Sequence, residues 1–150
     1  MTESAAPPHL VVVGVDGSPT SIDALRWAVH QATHNHSHVE AIAVWEWPRS
    51  WGMSIPMPAD FDPEADTRTM LEEAVTPLHT AHPEVVLTAV AVEGSPREVL
   101  IDASHRADLV VVGSHGHGEL SSVVLGSVSL HVAAHAAAPV LVYRKHQPST

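Results

Sequence analysis

Leu10-Val11-Val12-Val13-Gly14-Val15-Asp16-Gly17-Ser18-Pro19 passes without a break from an apolar run into turn residues and a helix start. A Val-rich stretch with no polar alternation reads as a strand covered on both faces, the habit of parallel sheets. Ser18 is placed to N-cap a helix, and Pro19 at the first helical position has its φ preset and lacks an N–H that would go unused there. Ile22, Leu25, Val29 and Ala32 then recur on one face of the expected helix. A strand feeding a helix in this way is the first half of a βαβ unit.

The same alternation continues along the chain. Val39–Trp47, Val85–Val92, Leu109–Val112 and Val140–Tyr143 are short apolar runs that read as further strands. Helical patterns lie between them. Met70, Leu71, Ala74, Val75 and Leu78 mark a helix from about Pro63 to Ala81, in which Pro77 predicts a kink or an early end. Ser95-Pro96-Arg97-Glu98 reads as a capping box that opens a helix to about His105, and Ser127–Ala136 is an Ala-rich helix that stops before Pro139. The expected fold is α/β: an open five-stranded parallel sheet with helices on both faces, in one domain of residues 1–150 with its core at about 9–144 and short flexible tails. Pro48–Asp62 is the one long irregular stretch, rich in Pro, Trp and Met, and reads either as a lid or as a cover for the sheet edge.

Composition narrows the function. Seven Lys+Arg against seventeen Asp+Glu give a net charge of −10, which works against nucleic acid and anionic membrane as partners. There is no cysteine, so disulfides, thiolate nucleophiles and Cys-based metal centres are excluded. No segment has the ~18 apolar residues that span a bilayer, and Met1–Pro8 lacks the pattern of a secretory signal. A cytoplasmic protein with neither nucleic acid nor membrane as partner is the expectation.

The strongest chemical signal is Gly113-Ser114-His115-Gly116, followed after nine residues by Gly126-Ser127. It starts where a strand ends and finishes where a helix begins. Glycines there permit positive φ and close approach of a ligand to the backbone. The unpaired N–H groups of the helix's first turn make an anion site, to which the hydroxyls of Ser114, Ser127 and Ser129 could add donors. Lys145 is the single lysine and lies near the end of the chain, so there is no Gly-Lys-Ser/Thr phosphate loop; the glycine spacing is not the dinucleotide GxGxxG either. Asp16 ends the first strand, where open α/β sheets bind ligands, and can accept bonds from ribose hydroxyls or hold a metal; an Asx turn beside Ser18 is the competing role.

Val13-Gly14-Val15-Asp16-Gly17-Ser18-Pro19, Gly113-x-x-Gly116-x9-Gly126-Ser127 and the closing Pro139-Val140-Leu141-Val142 together resemble the universal stress protein family over about Leu10 to Tyr143. The glycine pattern resembles the ATP-binding signature of that family. The resemblance implies an adenine nucleotide alpha-hydrolase-like sheet in order 3-2-1-4-5 and a homodimer through the last strand, Val140–Tyr143. It implies ATP as ligand, with Mg²⁺ as a further component, in a stress-response or signalling module with little or no turnover. Asp16 would then hold the ribose or adenine side, with Gly14 and Val15 beside it among the nucleotide-binding residues, and Val44 to Glu46 would read the adenine edge. Gly113, Gly116, Gly126 and Ser127 would take ribose and phosphates, with Ser114, Val128 and Ser129 beside them. His115 and His117 stand where members often carry Arg or Lys in the loop. With an ordinary imidazole pKa near 6.5, they predict ATP binding that strengthens as pH falls from about 7.5 to 6.

Two other functions stay open at this point. One is a slow Mg-dependent ATPase using His117 or Glu119. The other is a histidine-rich metal-binding protein with a vestigial nucleotide loop, since His34, His36 and His38 alternate and His131 and His135 sit at i, i+4. A solvated loop and a helix surface are the commoner settings for such histidines. No catalytic residue is assigned. Trp45 or Trp47 could wall an adenine pocket, and core packing is the simpler role for Trp27.

Overall fold

A computed structural model describes residues 6–49, 52–54, 56–115 and 125–145. Five strands alternate with four helices: β1 (Leu10–Gly14), α1 (Pro19–Asn35), β2 (His38–Trp45), α2 (Pro63–Ala81), β3 (Leu87–Glu93), α3 (Pro96–Ser104), β4 (Leu109–Gly113), α4 (Ser127–His135) and β5 (Val140–Tyr143). All neighbouring strands pair parallel in the order β3-β2-β1-β4-β5.

Because side chains alternate across a strand, β1 feeds two cores. Val11 and Val13 point to one face, where Leu25, Ala28 and Val29 of α1 and Leu71, Val75 and Leu78 of α2 cover them. Val12 points to the other face, with Ile42, Val110 and Val112, under Leu100 and Ala103 of α3 and Val132 of α4. Helices on both faces explain why β1 carries Val on both sides.

Local chemistry sets the helix starts. Ser18 Oγ accepts the Ser21 N–H at 3.3 Å, and Asp62 Oδ1 accepts the Ala65 N–H at 3.0 Å. Two expectations are corrected here. Ser95 occupies the N-cap of α3, but its side chain makes no cap bond, so the capping box is absent and Pro96 supplies the start. Of the kink or early end expected at Pro77, the early end does not occur, since the helix runs four residues further to Ala81. Pro77 and Glu73 are both exposed, so the carbonyl that loses its helical donor faces water. Val75 and Leu78, buried against the sheet, hold the helix across the gap.

Gly113 ends β4 at the point where the start of α1 crosses it. A Cβ there would lie 3.1 Å from Thr20 Cγ2 and 3.2 Å from the Ser21 backbone nitrogen. Across the sheet, the Asp108 carboxylate accepts the Leu10 N–H at 2.8 Å and lies 3.6 Å from His9 Nδ1. The Leu10 bond, ahead of His9, holds its pKa below the ordinary 3.8.

Gly113→Ala is expected to destabilise the fold by about 1–3 kcal/mol in urea unfolding, because backbone rather than a flexible side chain must give way. Asp108→Asn should lower stability at neutral pH. A depressed folded-state pKa stabilises above the unfolded value and is lost as pH falls through the folded one. The gap between variant and wild type should therefore close in acid below pH 3.8, which urea midpoints across pH will show.

Candidate functional site

In a parallel sheet whose strand order reverses, the first connections lead away from each other and leave a crevice beyond the carboxyl ends of the two central strands. Here those strands are β1 and β4, with α1 on one face and α3 and α4 on the other. A cavity of about 250 Å³ opens there. Among the described residues, Gly14, Val15 and Asp16 line it from the end of β1, and Ile42 and Val44 from β2. Pro96 and Leu100 come from α3, Val112, Gly113 and His115 from β4 and the residues after it, and Gly126, Ser127, Val128 and Ser129 from the start of α4. Ser21 completes the wall from α1.

The wall is divided by chemistry. Ile42, Val44, Leu100, Val112 and Pro96 make an apolar floor suited to a flat ring. Asp16, Ser21, His115 and the first turn of α4 make a polar end. Gly126 is the N-cap of α4 and brings no side-chain cap, so the N–H groups of Ser127, Val128 and Ser129 have no acceptor within the helix. Their dipoles add partial positive charge at the cavity.

The ends of the loop before α4 are stapled together. The Gly126 N–H donates to the Ser114 carbonyl at 2.8 Å, and the Ser114 N–H to the Tyr143 carbonyl at 2.8 Å. Ser129 Oγ donates to the Gly113 carbonyl. The glycine reasoning needs revision at two positions. Gly126 has φ −59°, and Gly113 has no positive φ, so neither is glycine for the sake of a left-handed turn. Gly113 is glycine because α1 passes against it.

Asp16 performs the local role as well as facing the cavity. Its Oδ1 accepts the Ser18 N–H at 2.9 Å and the Ser18 hydroxyl at 2.5 Å, an Asx turn that orients the start of α1. Of the other expected residues, Ser114 is buried at 1% exposure with its hydroxyl 2.5 Å from His115 Nδ1, off the cavity wall. Ser129 reaches the wall, but its hydroxyl hydrogen is given to Gly113 and is no ligand donor. Glu46 is exposed and does not line the cavity. Gly116, His117 and Glu119 lie outside the described residues, as do Trp51 and Ile55.

Trp45 and Trp47 do not wall the cavity either. They meet edge to face at 6.1 Å, Phe61 packs on Trp47 at 6.1 Å, and none of the described residues of the Pro48–Asp62 stretch lines the cavity. Sequence reading missed Ile42, Leu100, Pro96, Ser21 and Val112. The opposite-facing positions of the apolar runs that include Ile42 and Val112 were the available signal. Among the described residues no three ionisable groups converge to hold a metal. His36 is the left-handed C-cap of α1, with His34 before it on the helix and His38 after it in β2, which separates the three.

Comparison with known proteins places this arrangement. A universal stress protein of Mycobacterium tuberculosis is 36% identical over 149 residues, covering 93% of this chain and 45% of its own length. One from Mycolicibacterium smegmatis is 33% identical over 135 residues, again covering 45% of its length. The chain thus spans about half the length of these curated relatives. A solved universal stress protein in complex with cAMP superposes with a TM-score of 0.66 at 26% identity, covering 91% of this chain and 96% of that one. UspA from Lactobacillus plantarum superposes at 0.72 with 22% identity, covering 93% and 99%, and shares the fold. The model of the universal stress protein family matches residues 9–144, and this chain belongs to that family.

Proposed function

We propose that the cavity binds ATP, with Mg²⁺ as a companion ion, and that the chain serves as a nucleotide-responsive stress or signalling module with little or no turnover. One observation carries this reading. An early carboxylate, Asp16, and the uncapped start of a late helix, Gly126–Ser129, line one cavity with an apolar floor between α3 and the sheet. The floor suits a purine ring, Asp16 the ribose hydroxyls, and the α4 amides the phosphates. The 26% identical neighbour with cAMP supports an adenine nucleotide as the class of ligand.

Low turnover follows from the groups at hand. Asp16 is the only carboxylate among the described lining residues, and its Oδ1 is held by the Ser18 turn while the rest of the carboxylate serves the ribose in this reading. A general base needs a positioned acceptor beside the attacking water. We also propose a homodimer through β5, which is an outer strand of the sheet and half-buried along its length. No helix of the described residues is long and apolar enough to cross a membrane, and the reading sets the module in the cytoplasm, where ATP is abundant.

Mass spectrometry of the small molecules that co-purify with the protein, followed by calorimetry with ATP, AMP and cAMP, tests the reading. Intact ATP bound more tightly than AMP or cAMP is the expected result; absence of any nucleotide binding overturns it. Asp16→Asn keeps an acceptor for the Ser18 turn and removes the charge. It should weaken ATP roughly tenfold or more while leaving tripolyphosphate binding undiminished. His115 is the other ionisable group on the described wall, beside the Ser114 hydroxyl, which can donate to or accept from it. A ring nitrogen on the wall can bond a phosphate oxygen, so His115→Ala should weaken ATP binding several-fold in calorimetry.

A further inference from the structure

The described histidines include two pairs built alike. On α1, His30 and His34 are one turn apart with ring centroids at 5.0 Å, and on α4, His131 and His135 stand in the same relation at 4.4 Å. In each pair the later ring is tethered. His34 Nδ1 lies 3.0 Å from the His30 carbonyl, and His135 Nδ1 lies 3.0 Å from the His131 carbonyl. A carbonyl oxygen only accepts, so Nδ1 carries the hydrogen in both, and in the neutral ring the lone pair is on Nε2. A ring N–H held by a carbonyl is the outer support that metal-ligating histidines usually have.

The spacing is close to what a chelate needs. Two imidazoles on one cation, bound through nitrogen at about 2.0–2.1 Å with an angle of roughly 90–109° between them, bring their ring centres to roughly 4.5–5.2 Å; His30/His34 lies inside that range at 5.0 Å and His131/His135 just short of it at 4.4 Å. The second histidine of each pair, His34 and His135, sits in the last turn of its helix, where the dipole is negative and a cation is favoured. That dipole alone accounts for His34 and His135. It does not account for His30 and His131, whose rings lie against them; two protonated imidazoles at i, i+4 would repel.

We propose that His30/His34 and His131/His135 are two surface clamps for a divalent first-row transition cation, each giving two imidazole nitrogens and leaving the remaining positions to water. Cu(II) should bind most tightly by the usual affinity order of such sites. Both clamps lie where a helix hands the chain to the start of a strand, β2 or β5, at the opposite end of the sheet from the nucleotide cavity. Metal uptake is therefore separable from nucleotide binding.

The test uses the untagged full chain and aqueous Cu(II), followed by calorimetry and electron paramagnetic resonance. Two equivalents should bind with a two-nitrogen hyperfine pattern. His30→Asn and His131→Asn leave the tethered rings in place, and each should remove one equivalent. Together they should weaken Cu(II) binding at least tenfold. His79→Asn is the control, because His79 lies in the last turn of α2 with Val75, not histidine, one turn before it. Copper binding that is absent in the wild type, that survives the double substitution, or that is lost equally with His79→Asn would overturn the proposal.

Discussion

The structure depends on the handedness of its crossovers. A strand–helix–strand connection in a parallel sheet turns right-handed, so a chain that builds outward from β1 to β2 and β3 covers one face, and must switch faces when it returns to build on β1's other edge. α1 and α2 cover the first face and α3 and α4 the second. The two central strands are left with helices departing in opposite senses, and the gap between them is the cavity. No residue has to be spent on making a hole.

That constraint explains why a few small contacts carry so much. The gap can stay open only if α1 and α4 approach the strand ends closely without filling them. Gly113 lets the first turn of α1 lie against β4, and Ser129 ties α4 to the same residue's carbonyl. The Asx turn at Asp16 fixes how the chain enters α1. A side chain's two duties, shaping its own turn and facing the crevice, are compatible because a carboxylate has more acceptor positions than the turn consumes.

Much of this was readable from residues alone. The strands of β1 and β4 and the Ser18 cap follow from local rules, and the placing of Asp16 and Gly126–Ser129 at one mouth follows from the strand order that the family resemblance implies. What was not readable has physical causes. Pro77 fails to stop α2 because tertiary burial of Val75 and Leu78 outweighs one missing bond on a wet surface. Ser95 has the right neighbours for a capping box but its side chain turns elsewhere, which sequence spacing does not reveal. Trp45 meets Trp47 and Trp47 meets Phe61, a partner some fourteen residues on whose proximity depends on the whole connection. Leu100 and Ile42 are buried in the core, and that their outer edges also floor a cavity is a property of the assembled helices.

The first turns of α1, α3 and α4 all lie at the rim of the crevice, so the molecule concentrates positive potential at one mouth while its body carries a net charge of −10. The two fields act over different ranges. At distances beyond the Debye length's reach of the rim, an anionic ligand meets the repulsion of the acidic body first, and only close in does it feel the amides. Added salt screens the long-range repulsion more than the short-range grip, so encounter with a polyanion is hastened by moderate ionic strength, the reverse of the behaviour of basic, electrostatically steered binding sites.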